Sequence, residues 1–195
     1  MEWYESLEKQ ADTLLNILKQ KDVFENEVEI IINLVRNIEG IVYFTGIGKS
    51  GFVAEKASST YNSLGIRCFY IDAIDTLHGD MGIFNKNDLV VFISKSGETK
   101  ELFHLFDELK TRGIRTVAIT SNKYSYLAKN SDFKLVLPIK SEGDFLNNLV
   151  PLASTITYEV VLQSIAVEIA SKKGFSLKDF IYRHPGGKIG QTEVK

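Results

Sequence analysis

The pattern of apolar and polar positions divides the chain into a helical first part and a longer remainder of alternating character. Up to about residue 36, apolar residues recur at the three- and four-residue spacing of a helix face, and the spacing is interrupted near Lys21 and Asp22. We therefore expect a helical N-terminal arm over residues 1–37. The apolar positions that carry this pattern are Leu7, Leu14, Leu15, Leu18, Val28, Ile31, Ile32, Leu34 and Val35.

Five short apolar runs follow the arm, each separated from the next by a helix-length stretch or a cluster of turn residues. Runs of this length, bounded by Gly, Asn and Asp, are typical of strands buried on both faces. Their alternation with helices predicts a doubly wound α/β domain over residues 38–195, with a mainly parallel five-stranded sheet flanked by helices and a C-terminal helix. Ligands of such sheets lie beyond the carboxyl ends of the strands, so function is sought directly after each run. The runs are Ile41–Thr45, Cys68–Ile71, Leu89–Ile93, Thr116–Thr120 and Phe133–Leu137.

Composition narrows the class of protein. The 195 residues fit one domain, and 44% hydrophobic with 25% charged residues is ordinary for a soluble globular protein. A net charge of −2 without a basic patch predicts neither a nucleic-acid partner nor a membrane partner. The first residues lack a signal-peptide pattern, and no apolar run approaches the ~20 residues that span a bilayer, so we expect a cytoplasmic protein. The single cysteine, Cys68, lies in a predicted strand and is expected to be a core residue.

A glycine-rich turn, GIGKSG at residues 46–51, follows the first predicted strand and leads into a helix that begins near Phe52. Glycines allow close backbone approach to a ligand, and amides at a helix N-terminus favour an anion. The turn matches neither the dinucleotide fingerprint nor the P-loop, and it can equally be read as a tight strand-to-helix connection. Lys49 favours the anion site, which makes Gly48, Lys49 and Ser50 candidate site residues.

A second turn, SKSGET at residues 94–99, gives a sharper signal. Ser94, Ser96 and Thr99 surround Gly97 directly before a helix with one apolar face. Hydroxyls and free amides at a helix N-terminus can hold a dianionic phosphate without an arginine. The alternative is an elaborate helix cap that binds nothing. A cap explains one hydroxyl but not three hydroxyls, a lysine and a glycine together, so these residues predict a phosphate site.

Four motifs in order, GIGKSG, LHGDMG, SKSGET and RHPGGKIG, resemble the sugar isomerase (SIS) domain of arabinose 5-phosphate isomerases. The resemblance extends from the first predicted strand to Gly190 and implies a flavodoxin-like fold. SKSGET alone indicates the wider SIS superfamily, whereas HGDMG and HPGG indicate the isomerase branch. Long members of that branch carry tandem CBS modules after HPGG. The resemblance is therefore to a stand-alone SIS domain spanning residues 1–195.

The resemblance implies interconversion of D-ribulose 5-phosphate and D-arabinose 5-phosphate, the entry to the lipopolysaccharide sugar Kdo. The reaction proceeds through an enediol and requires no metal or organic cofactor. The family's catalytic positions correspond to Lys49, Glu101, Glu142 and His184, and His78 of LHGDMG joins the substrate-binding set. The family also implies a homotetramer with shared active sites, in which His184 enters a neighbouring subunit's site.

The roles of these side chains follow from the chemistry of isomerisation. We assign proton shuttling to Glu142 with Glu101 as runner-up, enediolate stabilisation to Lys49, and ring opening or proton relay to His184. Glu101 and the two histidines have plainer alternatives. Glu101 can favour the helix dipole from a solvent-exposed position, and His78 and His184 can be structural.

One segment departs from the family pattern. A Cys-Pro-Leu-Gly turn usually follows the position of Glu142, but here GDFLNNLVPLAST is about one residue longer before Pro151. Asp144 or Asn147 could contact sugar hydroxyls there, so an isomerase of another phosphosugar, such as a hexulose 6-phosphate, is the nearest alternative. A phosphosugar sensor without catalysis is the alternative from another class. The presence of all four catalytic residue types favours the enzyme.

Overall fold

The computed structural model describes residues 1–191. Five parallel strands form one sheet in the order β2-β1-β3-β4-β5, which confirms the predicted doubly wound α/β fold. Each observed strand lies within or close to a predicted apolar run. The strands are β1 Val42–Gly46, β2 Cys68–Tyr70, β3 Leu89–Ile93, β4 Arg115–Thr120 and β5 Phe133–Val136.

Helices flank the sheet, and the first two form the predicted arm. A 3₁₀ turn at Lys21–Val23 separates them where the apolar spacing is interrupted. The helix after β1 starts at Lys49 and not near Phe52, because Gly48 takes φ 59° and serves as its N-cap. The helices are α1 Trp3–Lys19, α2 Glu25–Arg36, α3 Lys49–Ser63, α4 Lys100–Thr111, α5 Tyr126–Asn130, α6 Ala153–Lys172, α7 Leu177–Tyr182 and α8 Gly187–Gly190; two further 3₁₀ turns are Asp75–His78 and Asp80–Ile83.

Two apolar cores lie on opposite faces of the sheet. Val42 and Phe44 of β1 join the core formed with α1, α2, α3 and α6. Tyr43, between them, joins the core formed with α4 and α5, because successive strand side chains point to opposite faces. Burial on both faces explains why the strands read as continuous apolar runs. Cys68 is buried with its Sγ 3.1 Å from the Ser58 carbonyl oxygen, and burial raises its pKa to about 11, as expected of a packing residue.

The carboxyl ends and the amino ends of the parallel strands adjoin different parts of the chain. Helices α3 and α4 begin just beyond the carboxyl ends of β1 and β3. Helix α7 lies near the amino ends of the strands. There the Arg183 guanidinium packs against Gly65, just before β2, and stacks 5.2 Å from the Phe175 ring. Helix α3 leads from the carboxyl end of β1 back to the start of β2, and its 15 residues span about 22 Å at about 1.5 Å per residue. Among residues 1–191, no helix combines the length and the apolar character needed to cross a bilayer.

Candidate active site

The SKSGET turn is fixed in place by close contact with the loop after β4. Gly97 adopts φ 64°, and a Cβ built on it would clash with Ser125 Oγ. Ser125 is itself held, because its hydroxyl caps α5 and donates to the Asn122 carbonyl. The Gly97 carbonyl accepts a hydrogen bond from Leu127 N at 3.2 Å. Glycine at residue 97 therefore permits both the left-handed backbone and the close approach.

The hydroxyls of this turn organise its backbone. Ser94 Oγ is buried, lies 2.8 Å from Thr99 Oγ1 and accepts from Gly97 N at 3.1 Å. Ser96 is exposed, and its Oγ accepts from Glu98 N at 3.1 Å. Thr99 is the N-cap residue of α4, yet its side chain makes no capping hydrogen bond. The helix thus presents its positive N-terminal end beside two further hydroxyls, which is the geometry that favours an anion.

The GIGKSG turn leads into a second helix, α3, whose N-terminus also lies at the carboxyl ends of the strands. A Cβ on Gly51 would lie 2.9 Å from the Gly46 carbonyl oxygen, so the strand-to-helix connection needs small residues. Lys49 is exposed and lines a cleft of about 230 Å³ together with Thr155 and Glu159 of α6. Lys49 therefore faces the first turns of α6.

Glu142 is fully buried at the start of α6. Its Oε2 accepts hydrogen bonds from Leu152 N at 2.8 Å and Ser154 N at 2.9 Å, which are amides of the helix N-terminus. Its Oε1 lies 2.5 Å from Lys95 Nζ. Burial acts to raise the pKa of the Glu142 carboxyl, but the hydrogen bonds from Lys95, Ser154 and Leu152 outweigh burial and lower the pKa below its usual range. Glu142 is thus held as a carboxylate.

The structure groups some of the predicted residues and separates others. Lys49 and Glu142 both adjoin the first turns of α6, and Glu142 is joined through Lys95 to the SKSGET turn. Glu101 is exposed in the first turn of α4, and His78 is exposed in the 3₁₀ turn between β2 and β3.

His184 lies far from this group within one chain. Its Nδ1 is 2.7 Å from the Phe180 carbonyl oxygen, and its ring stacks 4.0 Å from the Phe180 ring. It directly follows Arg183, which packs at Gly65, at the amino ends of the strands and about 22 Å from the carboxyl ends along α3. A single chain does not bring His184 to Glu142.

Sequence reasoning missed two contributions to the site. Lys95 stands between two predicted phosphate ligands, but nothing in the sequence connects it with Glu142, 47 positions later. The loop 143–150 supports the Glu142 backbone, because Asn148 Oδ1 accepts from Glu142 N at 2.8 Å. The Asp144 carboxylate accepts from the amides of Leu146, Asn148 and Val150, so its oxygens serve the loop itself.

Comparison with known proteins matches this architecture to one family. The family model described as "SIS domain" matches residues 39–170, about two thirds of the chain. The chain belongs to the SIS domain family. This membership confirms the resemblance to SIS domains, and the match extends over all five strands and most of α6, with three of the four motifs inside it.

Relatives of this SIS domain include named isomerases. It is 38% identical to "Arabinose 5-phosphate isomerase KpsF" of Escherichia coli over 187 residues, covering 96% of this chain and 56% of the relative. It is 37% identical to "Arabinose 5-phosphate isomerase KdsD" of Francisella tularensis over 171 residues, covering 88% of this chain and 52% of the relative. The chain therefore spans about half the length of the curated relatives it matches.

A solved structure of the c3406 protein of E. coli CFT073, in complex with arabinose 5-phosphate, superposes with a TM-score of 0.87 at 31% identity. The match covers 93% of this chain and 95% of that one. The predicted fold is confirmed by this superposition. The roles of the individual site residues stay predictions.

Proposed function

We propose that this SIS domain is a sugar-phosphate isomerase that interconverts D-ribulose 5-phosphate and D-arabinose 5-phosphate in the cytoplasm, supplying the Kdo branch of lipopolysaccharide synthesis. The observation that carries the proposal is the buried Glu142 carboxylate, which binds the N-terminal amides of α6 and contacts Lys95 of the SKSGET turn. The similarity to KpsF and to the c3406 protein solved with arabinose 5-phosphate supports the choice of substrate.

The phosphate of the sugar binds at the SKSGET turn in this proposal. The α4 N-terminus, the exposed Ser96 hydroxyl and Thr99 together supply donors for its oxygens. Ser94 is buried and shapes the turn from beneath through Thr99 and Gly97. The bound phosphate leaves the sugar chain to extend toward Glu142, because Lys95 of the same turn contacts that carboxylate.

Glu142 is the base that removes the proton beside the carbonyl. The carboxyl is ionised at neutral pH, which is the form that a base requires, although the contacts that lower its pKa also weaken its basicity. Lys49, across the first turns of α6, stabilises the negative charge of the enediolate. Glu101, exposed in α4, is the runner-up for the proton transfer.

We further propose a homotetramer in which His184 completes a neighbouring subunit's site. The distance between the amino and carboxyl ends of the strands keeps His184 away from the Glu142 site of its own chain. Helix α6 is buried on one side, yet Ile156, Val160 and Val167 are exposed on the other. The exposed Leu15 and Leu18 of α1 add to this surface, because they line one groove together with Val160. Such contiguous apolar area marks a protein interface.

A hexulose 6-phosphate is the alternative substrate, and the comparisons with arabinose 5-phosphate isomerases do not favour it. The alternative comes from the loop 143–150, in which Asn147 is exposed with φ 55° next to the amides that Asp144 binds. A sensor is the alternative without catalysis, and in it Glu142 would serve only to bind the N-terminal amides of α6.

The test is incubation of the purified protein with ribulose 5-phosphate in deuterated water, followed by identification of the aldose and of its deuterium. We expect arabinose 5-phosphate carrying deuterium at the carbon that exchanges. Glu142→Gln keeps the shape of the side chain and removes its basicity, so kcat should fall by about 10²–10⁴-fold with KM nearly unchanged.

Parallel incubation with a hexulose 6-phosphate distinguishes the two candidate substrates. Turnover of the hexulose 6-phosphate but not of ribulose 5-phosphate would show that the protein is an isomerase of a different sugar phosphate. Binding of either sugar phosphate without turnover or exchange would identify a sensor. Turnover and exchange by Glu142→Gln at the wild-type rate would exclude Glu142 as the base.

A further inference from the structure

Lys95 crosses from the SKSGET turn to the carboxylate at the start of α6. Its backbone is fixed, because the Lys95 carbonyl accepts from Thr120 Oγ1 at 2.9 Å and from Ser121 N at 3.0 Å. Its side chain is 34% exposed, whereas that of Glu142 is 0% exposed. The ammonium therefore adjoins solvent while the carboxylate that it contacts is fully enclosed.

The two oxygens of Glu142 have different partners. Oε2 is held by the amides of Leu152 and Ser154, whereas Oε1 faces Lys95. Lys95 Nζ lies 2.5 Å from Oε1, and within residues 1–191 it is the cation at ion-pair distance from this carboxylate. A buried carboxylate without a counter-charge takes up a proton instead of staying ionised.

Other groups near Glu142 do not replace this cation. Tyr158 of α6 faces it and donates or accepts a hydrogen bond with Ser121 Oγ at 2.7 Å; burial raises the pKa of its hydroxyl, so it stays neutral. Lys9 of α1 packs its Cβ side against Gly143, the next residue in the loop.

We propose that Lys95 is a positioning residue of this site, whose ammonium contacts Glu142 Oε1 and holds the carboxylate in place in its ionised form. The proposal rests on the proposed function, in which Glu142 is the base. Lys95 acts through Glu142 and does not bind the phosphate itself, although it stands between two residues of the phosphate turn.

The test compares the pH dependence of kcat for ribulose 5-phosphate in matched variants. Lys95→Met removes the charge, so the acidic limb of the kcat–pH profile, where activity falls as Glu142 is protonated, should move upward by about 1–3 pH units with KM little changed. Lys95→Arg keeps the charge and should leave the limb near its wild-type position. Lys110→Met is the control, because Lys110 is also 34% exposed and pairs with a carboxylate, Asp132, away from the site. That control should leave the limb unchanged.

A second readout does not depend on turnover. The ¹³C carboxyl resonance of Glu142, assigned by its loss in Glu142→Gln, is titrated in wild type and in Lys95→Met. An upward shift of its midpoint supports the proposal even if ribulose 5-phosphate is not a substrate, so failure of the proposed function is distinguished from failure of this inference. Lys95→Gln replaces Lys95→Met if circular dichroism shows that the methionine variant does not fold.

Two results would overturn the proposal. One is an unchanged midpoint and acidic limb in the charge-removing variant. The other is a large rise in KM with the limb unmoved, which would make Lys95 a phosphate ligand.

Discussion

Gly97 lies where backbone conformation and packing both exclude a side chain. The positive φ alone costs about 1–2 kcal/mol for a residue with a Cβ. The fixed Ser125 hydroxyl adds a steric contact, and overpacking of this kind costs about 1–3 kcal/mol. The SKSGET turn therefore depends on a loop that follows a different strand.

We predict that Gly97→Ala destabilises the protein by the sum of both terms. Gly113→Ala is the matched control, because Gly113 has φ 71° but nothing within 4 Å of a built Cβ, so it should lose only the conformational term. Urea denaturation of the two variants measures the difference. Equal losses of unfolding free energy would mean that the Ser125 contact yields without cost.

At the scale of elements, Glu142 links the chemistry to the stability of α6. It satisfies two N-terminal amides of a 20-residue helix, a task usually performed by the N-cap residue, and here the N-cap Leu152 has no side-chain oxygen. The proposed base is thus also a helix cap. Changing it affects both activity and folding.

This double role predicts a pH-dependent stability. The folded-state pKa of Glu142 lies below its ordinary value of 4.5, so its stabilising effect is complete above that pH and is lost as pH falls through the lowered pKa. Glu142→Gln should cost about 1–3 kcal/mol of unfolding free energy at pH 7, with the deficit shrinking in acid. Denaturation of both proteins from pH 7 to pH 3 measures it. A deficit that stays constant with pH would contradict the charge-based cap.

The sequence predicts elements better than their contacts. Continuous apolar runs identify the five strands because both faces of the sheet are buried, and the break near Lys21 identifies the turn between α1 and α2. Strand ends are less exact: the first apolar run begins at Ile41, but the amide of Ile41 donates to the Asp88 side chain at 2.7 Å and β1 begins one residue later. The Lys95 and Glu142 pair could not be foreseen, because it depends on the placement of a loop against a distant helix.

At the scale of the whole molecule, the separation of His184 from Glu142 predicts complementation between subunits. Glu142→Gln and His184→Ala variants should each be weakly active as pure proteins. Unfolded together and refolded as a mixture, they should recover about a quarter of the sites, because half of the chains can supply each intact residue at random. Activity assays and light scattering on the same samples measure recovery and assembly. A monomer at micromolar concentration, or no recovery in mixed oligomers, would contradict the shared site.

Helix α6 also limits where the chain can change length. Inserting or deleting one residue within it would rotate everything beyond by about 100°, turning its exposed apolar side chains and the segment leading to His184 away from their positions. The loop 143–150 is constrained at both ends, because the Gly143 carbonyl accepts a hydrogen bond from Ser6 of α1 at 2.7 Å and Asn148 holds the Glu142 backbone. Changes in chain length are therefore expected to be tolerated best between these two ties, at the exposed residues 145–147.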